Sequence, residues 1–271
     1  MSYGDTEAVR GIDLEVRQGE IFAFLGPNGA GKTSTVEILE GYRKRTGGEV
    51  SVLGEDPAHA GSAWRDRIGI VLQSNSLDPY LTVRESLELY AGYFSHPRSV
   101  EETIGLIGLE EKADERARKL SGGQQRRLDV GLALVGDPEL LFLDEPTTGF
   151  DPSARRQAWD VIAGLRDLGK TIFLTTHYMD EAQRLADRVT ILAAGKVVAR
   201  GTPEDLGDRE SQPTTISYRL DGEDVSVETT DPIRALNELT GRVLADGLEL
   251  EGLEVRRPSL EDVYLELTDQ P

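Results

Sequence analysis

Cysteine is absent from all 271 residues, so disulfides, thiolate metal sites and cysteine nucleophiles are excluded together. Histidine is almost as scarce, limited to His59, His96 and His177. No stretch approaches the roughly 18 uninterrupted apolar residues that crossing a bilayer requires, and Met1 to Arg10 lacks the apolar centre of a signal peptide. The chain is therefore expected in the cytoplasm unless a partner holds it elsewhere. Positive charge is also short: 30 Lys and Arg stand against 49 Asp and Glu, a net charge of -19. That balance repels polyphosphate backbones, so no nucleic-acid partner is expected. What is present, 38% hydrophobic and 29% charged residues, describes a globular chain long enough to bury a core.

The acid is uneven. Residues 201–271 hold 18 Asp and Glu against 6 Arg, which is -12 of the total -19. Together with Gly201-Thr202-Pro203, this places a boundary there: one domain over 1–205 and a small accessory domain over 212–271. Ile12 to Val16 alternates like a half-exposed strand. Apolar runs at Glu20–Leu25, Ile68–Leu72, Leu140–Leu143, Thr171–Thr175 and Val189–Leu192 read as buried strands. Thr33–Leu39 and Ala154–Leu168 read as helices between them. Strand alternating with helix implies a largely parallel sheet with helices on its faces. From about 75 to 136 only helices are expected, at Val83–Phe94, Val100–Leu106 and Gln124–Val135, so a helical subdomain is inserted there. The tail adds strands at Ile216–Leu220 and Val225–Glu228 and helices at Pro232–Leu239 and Leu260–Leu267, an α+β pattern.

Three motifs carry chemistry. Gly26-Pro27-Asn28-Gly29-Ala30-Gly31-Lys32-Thr33 fits a P-loop, and it follows a strand and opens a helix as that loop must. Its glycines let successive N–H groups face one anion, and the helix N-terminus adds a favourable dipole. Lys32 would reach the β- and γ-phosphates, and the Thr33 hydroxyl would ligate Mg²⁺, with Ser34 next along the helix. Leu140 to Glu145 is an apolar strand ending in two carboxylates on the same sheet edge. Asp144 would hold Mg²⁺ through water, and Glu145 would polarise the attacking water. The third motif, Leu120-Ser121-Gly122-Gly123-Gln124, opens a second helix. It reads either as a capped helix start or as a second phosphate site, since Gly122 and Gly123 permit close approach.

These motifs, in this order and spacing, resemble the nucleotide-binding subunits of the ATP-binding cassette (ABC) family over residues 3–205. The resemblance implies a P-loop NTPase, RecA-like core sheet, ATP and Mg²⁺ as ligands, and a homodimer with ATP sandwiched between subunits. Ser121, Gly122, Gly123 and Gln124 of one subunit would then complete the site on the other's P-loop. By the same resemblance Gln73 contacts Mg²⁺ and water, Asp151 crosses the dimer, His177 hydrogen-bonds the γ-phosphate and Tyr3 stacks on adenine. Phe150 stands where leucine is usual.

The 89 positions from Lys32 to Ser121 leave no room for the long coiled coil of chromosome-structure relatives. A single cassette also departs from translation-factor relatives, which carry two. Leu77 to Glu85 and Pro258 to Leu265 are similar to subunits serving type-2 exporters of drugs, lipids or polysaccharide. That similarity implies an integral membrane permease as partner, a groove near Gln73 that receives its cytoplasmic helix, and a location on the inner face of the cell membrane. The alternative is a soluble ATPase scaffolding a cofactor-assembly or ribosome-associated complex.

Overall fold

The computed structural model describes residues 1–3, 6–73, 77–206, 213–220, 222–256, 262, 264 and 265, with the backbone alone for Ser2, Tyr3 and Thr6. The helix expected at Leu260–Leu267, the similarity at Pro258–Leu265 and the side chain of Tyr3 lie wholly or partly outside the described residues. The chain divides into two compact units, Met1–Arg200 and Gly201–Pro271.

In the first unit the strands are β1 (Ser2–Tyr3), β2 (Thr6–Glu7), β3 (Ile21–Leu25), β4 (Ile68–Val71), β5 (Leu140–Asp144), β6 (Thr171–Thr176), β7 (Arg188–Ala193) and β8 (Lys196–Gly201). The helices are α1 (Lys32–Leu39), α2 (Ser62–Arg65), α3 (Val83–Ala91), α4 (Val100–Leu106), α5 (Gly122–Leu134), α6 (Pro152–Asp167) and α7 (Met179–Leu185). Six strands form one sheet in the order β4-β5-β6-β3-β7-β8, and the pairs from β4 through to β7 are parallel. β7 and β8 are joined by the two-residue turn Ala194–Gly195, both at positive φ, which closes a tight hairpin at the edge.

Strands β3, β5 and β6 are buried almost throughout, which is why they read as continuous apolar runs rather than alternating ones. The Phe173 ring holds one face together, with Phe22, Phe24 and Phe142 at centroid distances of 5.4, 5.6 and 5.7 Å. The other face packs Leu141, Leu143, Ile172 and Leu174 with Leu134 of α5, Ile162 and Leu165 of α6 and Leu185 of α7. A separate cluster joins α3, α4 and α5 through Leu87, Ile104, Ile107 and Leu128. This cluster is all-helical among the described residues, apart from an isolated bridge between Thr82 and Arg116.

One expected strand does not form. Ile12, Leu14 and Val16 are half-buried against the aromatic face while Asp13 and Glu15 are exposed, but the segment makes no strand ladder. The alternation records one face of an extended segment lying on the core, and burial produces that pattern without β-pairing.

The second unit contains β9 (Thr214–Leu220), β10 (Glu223–Thr229), α8 (Pro232–Asp246) and β11 (Leu250–Arg256). β9 is central, antiparallel to both neighbours. α8 is capped by Asp231, which accepts from the Arg234 N–H at 3.0 Å, and it ends at Gly247 in the left-handed region. Among the described residues no helix is long and apolar enough to cross a membrane.

Candidate functional site

Parallel strands deliver their carboxyl ends to one edge of the sheet, and that edge is where α/β proteins bind ligands. β3 ends at the Gly26–Thr33 loop, β4 just before Gln73, β5 at Asp144–Glu145, and β6 just before His177. Cross-strand registers of Leu25 with Thr176, Asp144 with Thr175 and Val71 with Leu143 keep those ends level.

The loop has little freedom to differ. A Cβ on Gly26 would sit 2.4 Å from the Leu192 carbonyl oxygen. One on Gly31 would sit 2.4 Å from that of Ala8, at φ 105°, which disfavours any other L-residue. Gly31 is the N-cap of α1 and supplies no side-chain cap, so the first N–H groups of that helix stay open to an anion. Ala30 is tied by its carbonyl to Gly195 N–H at 3.1 Å.

Lys32 is 6% exposed, and its Nζ donates to the Gly26 carbonyl at 2.6 Å. Burial pulls its pKa below the ordinary lysine value, while Glu145 and Asp144 oppose that shift. Its ammonium stands 4.0 Å from Glu145 Oε1. Thr33 is exposed at the start of α1, and Ser34 is half-buried beside it.

Glu145 is the centre of the arrangement. It adopts φ 46°, a strained value for a side chain of this size, and its N–H is held by the Thr175 carbonyl at 3.0 Å. Its Oε2 accepts from Gln73 Nε2 and from Thr148 Oγ1, each at 3.2 Å. His177 Nδ1 lies 3.3 Å from Oε1 without hydrogen-bond geometry. Asp144, one residue earlier, accepts from the Thr175 hydroxyl. Lys32, Gln73, Asp144, Glu145 and His177 therefore meet, from four strand ends, around the open N-terminus of α1.

That set suits a magnesium polyphosphate. The backbone cradle and Lys32 match phosphate oxygens, and the hard oxygen donors of Thr33, Gln73 and Asp144 suit Mg²⁺ rather than a soft metal.

The remaining expected residues lie elsewhere. Ser121 caps α5 in a reciprocal box: its Oγ accepts from Gln124 N–H at 3.3 Å, and Gln124 Oε1 accepts from Ser121 N–H at 2.9 Å. Nothing stands within 4 Å of a Cβ built on Gly122, and Gly123 faces Ala154 at 3.1 Å. None of these contacts reaches Gly26–Ser34. Asp151 caps α6, accepting from Ser153 and Ala154 N–H groups, and these backbone donors hold its pKa below the usual carboxylate value.

Sequence reasoning missed Arg126. It is 5% exposed, and from α5 it donates to the carbonyls of Leu72, Asp144 and Pro146, gathering the ends of β4 and β5 with the helical cluster. The available signal was an arginine pair, Arg126-Arg127, one turn into the helix. Sequence reasoning also passed over Tyr178, whose ring centre is 4.1 Å from that of His177 and lies 4.1 Å under the Arg155 guanidinium.

Comparison with known proteins agrees with this geometry. Residues 9–148 match the family described as ABC transporter. The chain is 40% identical to Nod factor export ATP-binding protein I of Rhizobium sp. strain N33, covering 98% of this chain and 94% of that one. It is 36% identical to a daunorubicin resistance ATP-binding protein of Streptomyces coeruleorubidus, covering 98% and 92%. A solved dimeric ATP-binding cassette in a post-hydrolysis state with ADP and Pi is 26% identical, with a TM-score of 0.65 over 74% of this chain and 94% of that one.

Proposed function

The chain belongs to the ATP-binding cassette family as an ATP-binding ATPase subunit, and from that premise we propose that it powers a type-2 exporter by working on a separate membrane permease. The observation that carries the reading is the convergence of Lys32, Gln73, Asp144, Glu145 and His177 at one sheet edge, joined to near full-length similarity to export and resistance subunits. That similarity favours the exporter over the soluble scaffold. Its cargo belongs to the drug, lipid or polysaccharide class, and the chain sits on the inner face of the cell membrane.

Within the site, the Gly26–Gly31 backbone and Lys32 hold the phosphates, while Thr33, Asp144 and Gln73 are the residues that would hold Mg²⁺. That ion, when bound, neutralises charge between the phosphates. Glu145 orients and polarises the attacking water, because Gln73 and Thr148 fix its Oε2 and leave Oε1 toward Lys32 and His177. His177 reaches the terminal phosphate.

Two copies of the chain would pair head to tail, so that Ser121, Gly122, Gly123, Gln124 and Asp151 complete the partner's site. The open space at Gly122, and the capping of Ser121 and Gln124 by one another, support that arrangement. Closure on ATP and reopening after hydrolysis would move the permease. The unit Gly201–Pro271 serves as a small accessory domain.

The test is a pull-down from detergent-solubilised native membranes with the tagged Glu145→Gln chain and Mg-ATP. A polytopic permease among the captured proteins is expected, and its identity indicates the cargo. Capture of soluble partners alone would withdraw the transport claim and leave the ATPase.

A further inference from the structure

Thr175 lies next to last in β6, opposite Asp144 in the parallel register with β5, and it is 1% exposed. A hydroxyl buried on a strand costs free energy unless it is partnered, and valine would fill the same volume and suit a strand as well. The hydroxyl is therefore explained by what it binds. Its partners among the described residues are the two acids that close β5: Oγ1 donates to Asp144 Oδ1 and accepts from the Glu145 N–H at 3.1 Å. The same N–H also reaches the Thr175 carbonyl at 3.0 Å.

Each contact answers a need that the sheet alone leaves open. Asp144 is half-buried at a strand end, where its carboxylate could turn about two side-chain bonds. A donor on one oxygen fixes the group and leaves the other oxygen to a ligand. Glu145 sits at φ 46°, a conformation that a side chain of this size keeps only when surrounding contacts hold it. Two acceptors from one residue hold its N–H there, and the direction in which its side chain leaves the backbone is set with them. His177 follows two residues further along the same chain segment, with Nδ1 3.3 Å from Glu145 Oε1, so it is tied to the same register.

We propose that Thr175 is a positioning residue of the hydrolytic site, whose single hydroxyl orients Asp144 toward the metal and pins the Glu145 backbone so that its carboxylate meets the attacking water. This role rests on those given to Asp144 and Glu145 above. Thr175 acts through the two acids and not on the nucleotide. Valine keeps its shape without the hydroxyl, and serine keeps the hydroxyl without the methyl group.

The test uses the full-length chain with Thr175→Val, Thr175→Ser and Asp144→Asn. Each variant is saturated with a non-hydrolysable ATP analogue and titrated with Mn²⁺, the free ion being read by electron paramagnetic resonance. Analogue binding in EDTA and ATP turnover are measured beside it. Thr175→Val should bind the analogue in EDTA as the parent does and lose about 10–100-fold in Mn²⁺ affinity and in turnover. Thr175→Ser should restore both, which a residue needed only for packing would not allow. Parent-like Mn²⁺ affinity in Thr175→Val, beside a weakened Asp144→Asn, overturns the positioning role and leaves the metal reading standing. Weakened binding in EDTA, or no recovery with serine, assigns Thr175 to the fold alone and overturns it as well. Parent-like Mn²⁺ affinity in Asp144→Asn removes the metal role of Asp144 and the role of Thr175 with it.

Discussion

Helices α1 and α5 both begin at glycines, and they begin differently. α1 starts from a loop whose Gly26 and Gly31 are pressed against the Leu192 and Ala8 carbonyls, and its first N–H groups carry no side-chain cap. α5 starts from Ser121, whose hydroxyl and Gln124 satisfy the helix end between them, while Gly122 faces empty space. The chain's own packing requires glycine at the first and does not require it at Gly122. A helix N-terminus left uncapped among charged groups reserves its donors for a ligand of the same chain. A glycine that the fold does not need points to an approach from outside, which is what a head-to-tail dimer provides.

The largest expected effect tests whether chemistry belongs to the α1 side. Glu145→Gln should retain ATP binding and lose about 10²–10⁴-fold in turnover, measured by phosphate release. Wild-type turnover would remove Glu145 from the base role.

Gly31→Ala tests the packing half of the contrast. Its methyl group meets the Ala8 carbonyl at positive φ, so a loss of about 3 kcal/mol or more is expected in denaturant unfolding, together with weakened nucleotide binding. A variant with unchanged stability would show that the loop tolerates a side chain after all.

The opposite end of α1 gives a pH-dependent prediction. The folded state holds the Glu40 proton up to about pH 8, above the ordinary value of 4.5. The folded state therefore binds more protons between those limits, and stability is complete below about pH 4.5 and falls as pH rises toward 8. Glu40→Gln cannot ionise, so it should match the parent near pH 4.5 and exceed it by about 4 kcal/mol at pH 8. Equal pH profiles would show that Glu40 is compensated in the free chain.

The smallest effects belong to the α5 side. Ser121→Ala should cost about 1 kcal/mol through the lost cap. Gly122→Ala should cost nothing in thermal denaturation and still depress ATPase activity, because only a ligand from outside the chain would meet the methyl group. A fall in stability of the same size as for Gly31→Ala would erase the contrast between the two helices.

Much of the first unit was legible before folding. Glu20–Leu25, Leu140–Leu143 and Thr171–Thr175 read as buried strands because they are apolar without alternation, and they are strands. The alternation at Ile12–Val16 misled, since half-burial on a core imitates the period of a sheet. β8, α7 and β11 were missed for opposite reasons. β8 and β11 are exposed edge elements of mixed composition, and α7 is only seven residues long. At the site, the residues of the motifs were legible, but Arg126 and Thr175 were not, because their roles are hydrogen bonds to backbone and carboxylate groups distant in sequence.

By itself the sequence determined the local devices: a glycine loop between strand and helix, a strand ending in two acids, a capped helix start, and a charge imbalance that sets the tail apart. These depend on neighbours within a few residues, where spacing and side-chain chemistry act directly. Only the tertiary structure decided that Gln73 would meet Glu145 across 72 residues, or that Glu40 and Asp129 would line one cavity. The physical reason is that parallel strand order and helix packing are set by burial summed over the whole core. That sum is non-directional and leaves no signature at the residues it brings together.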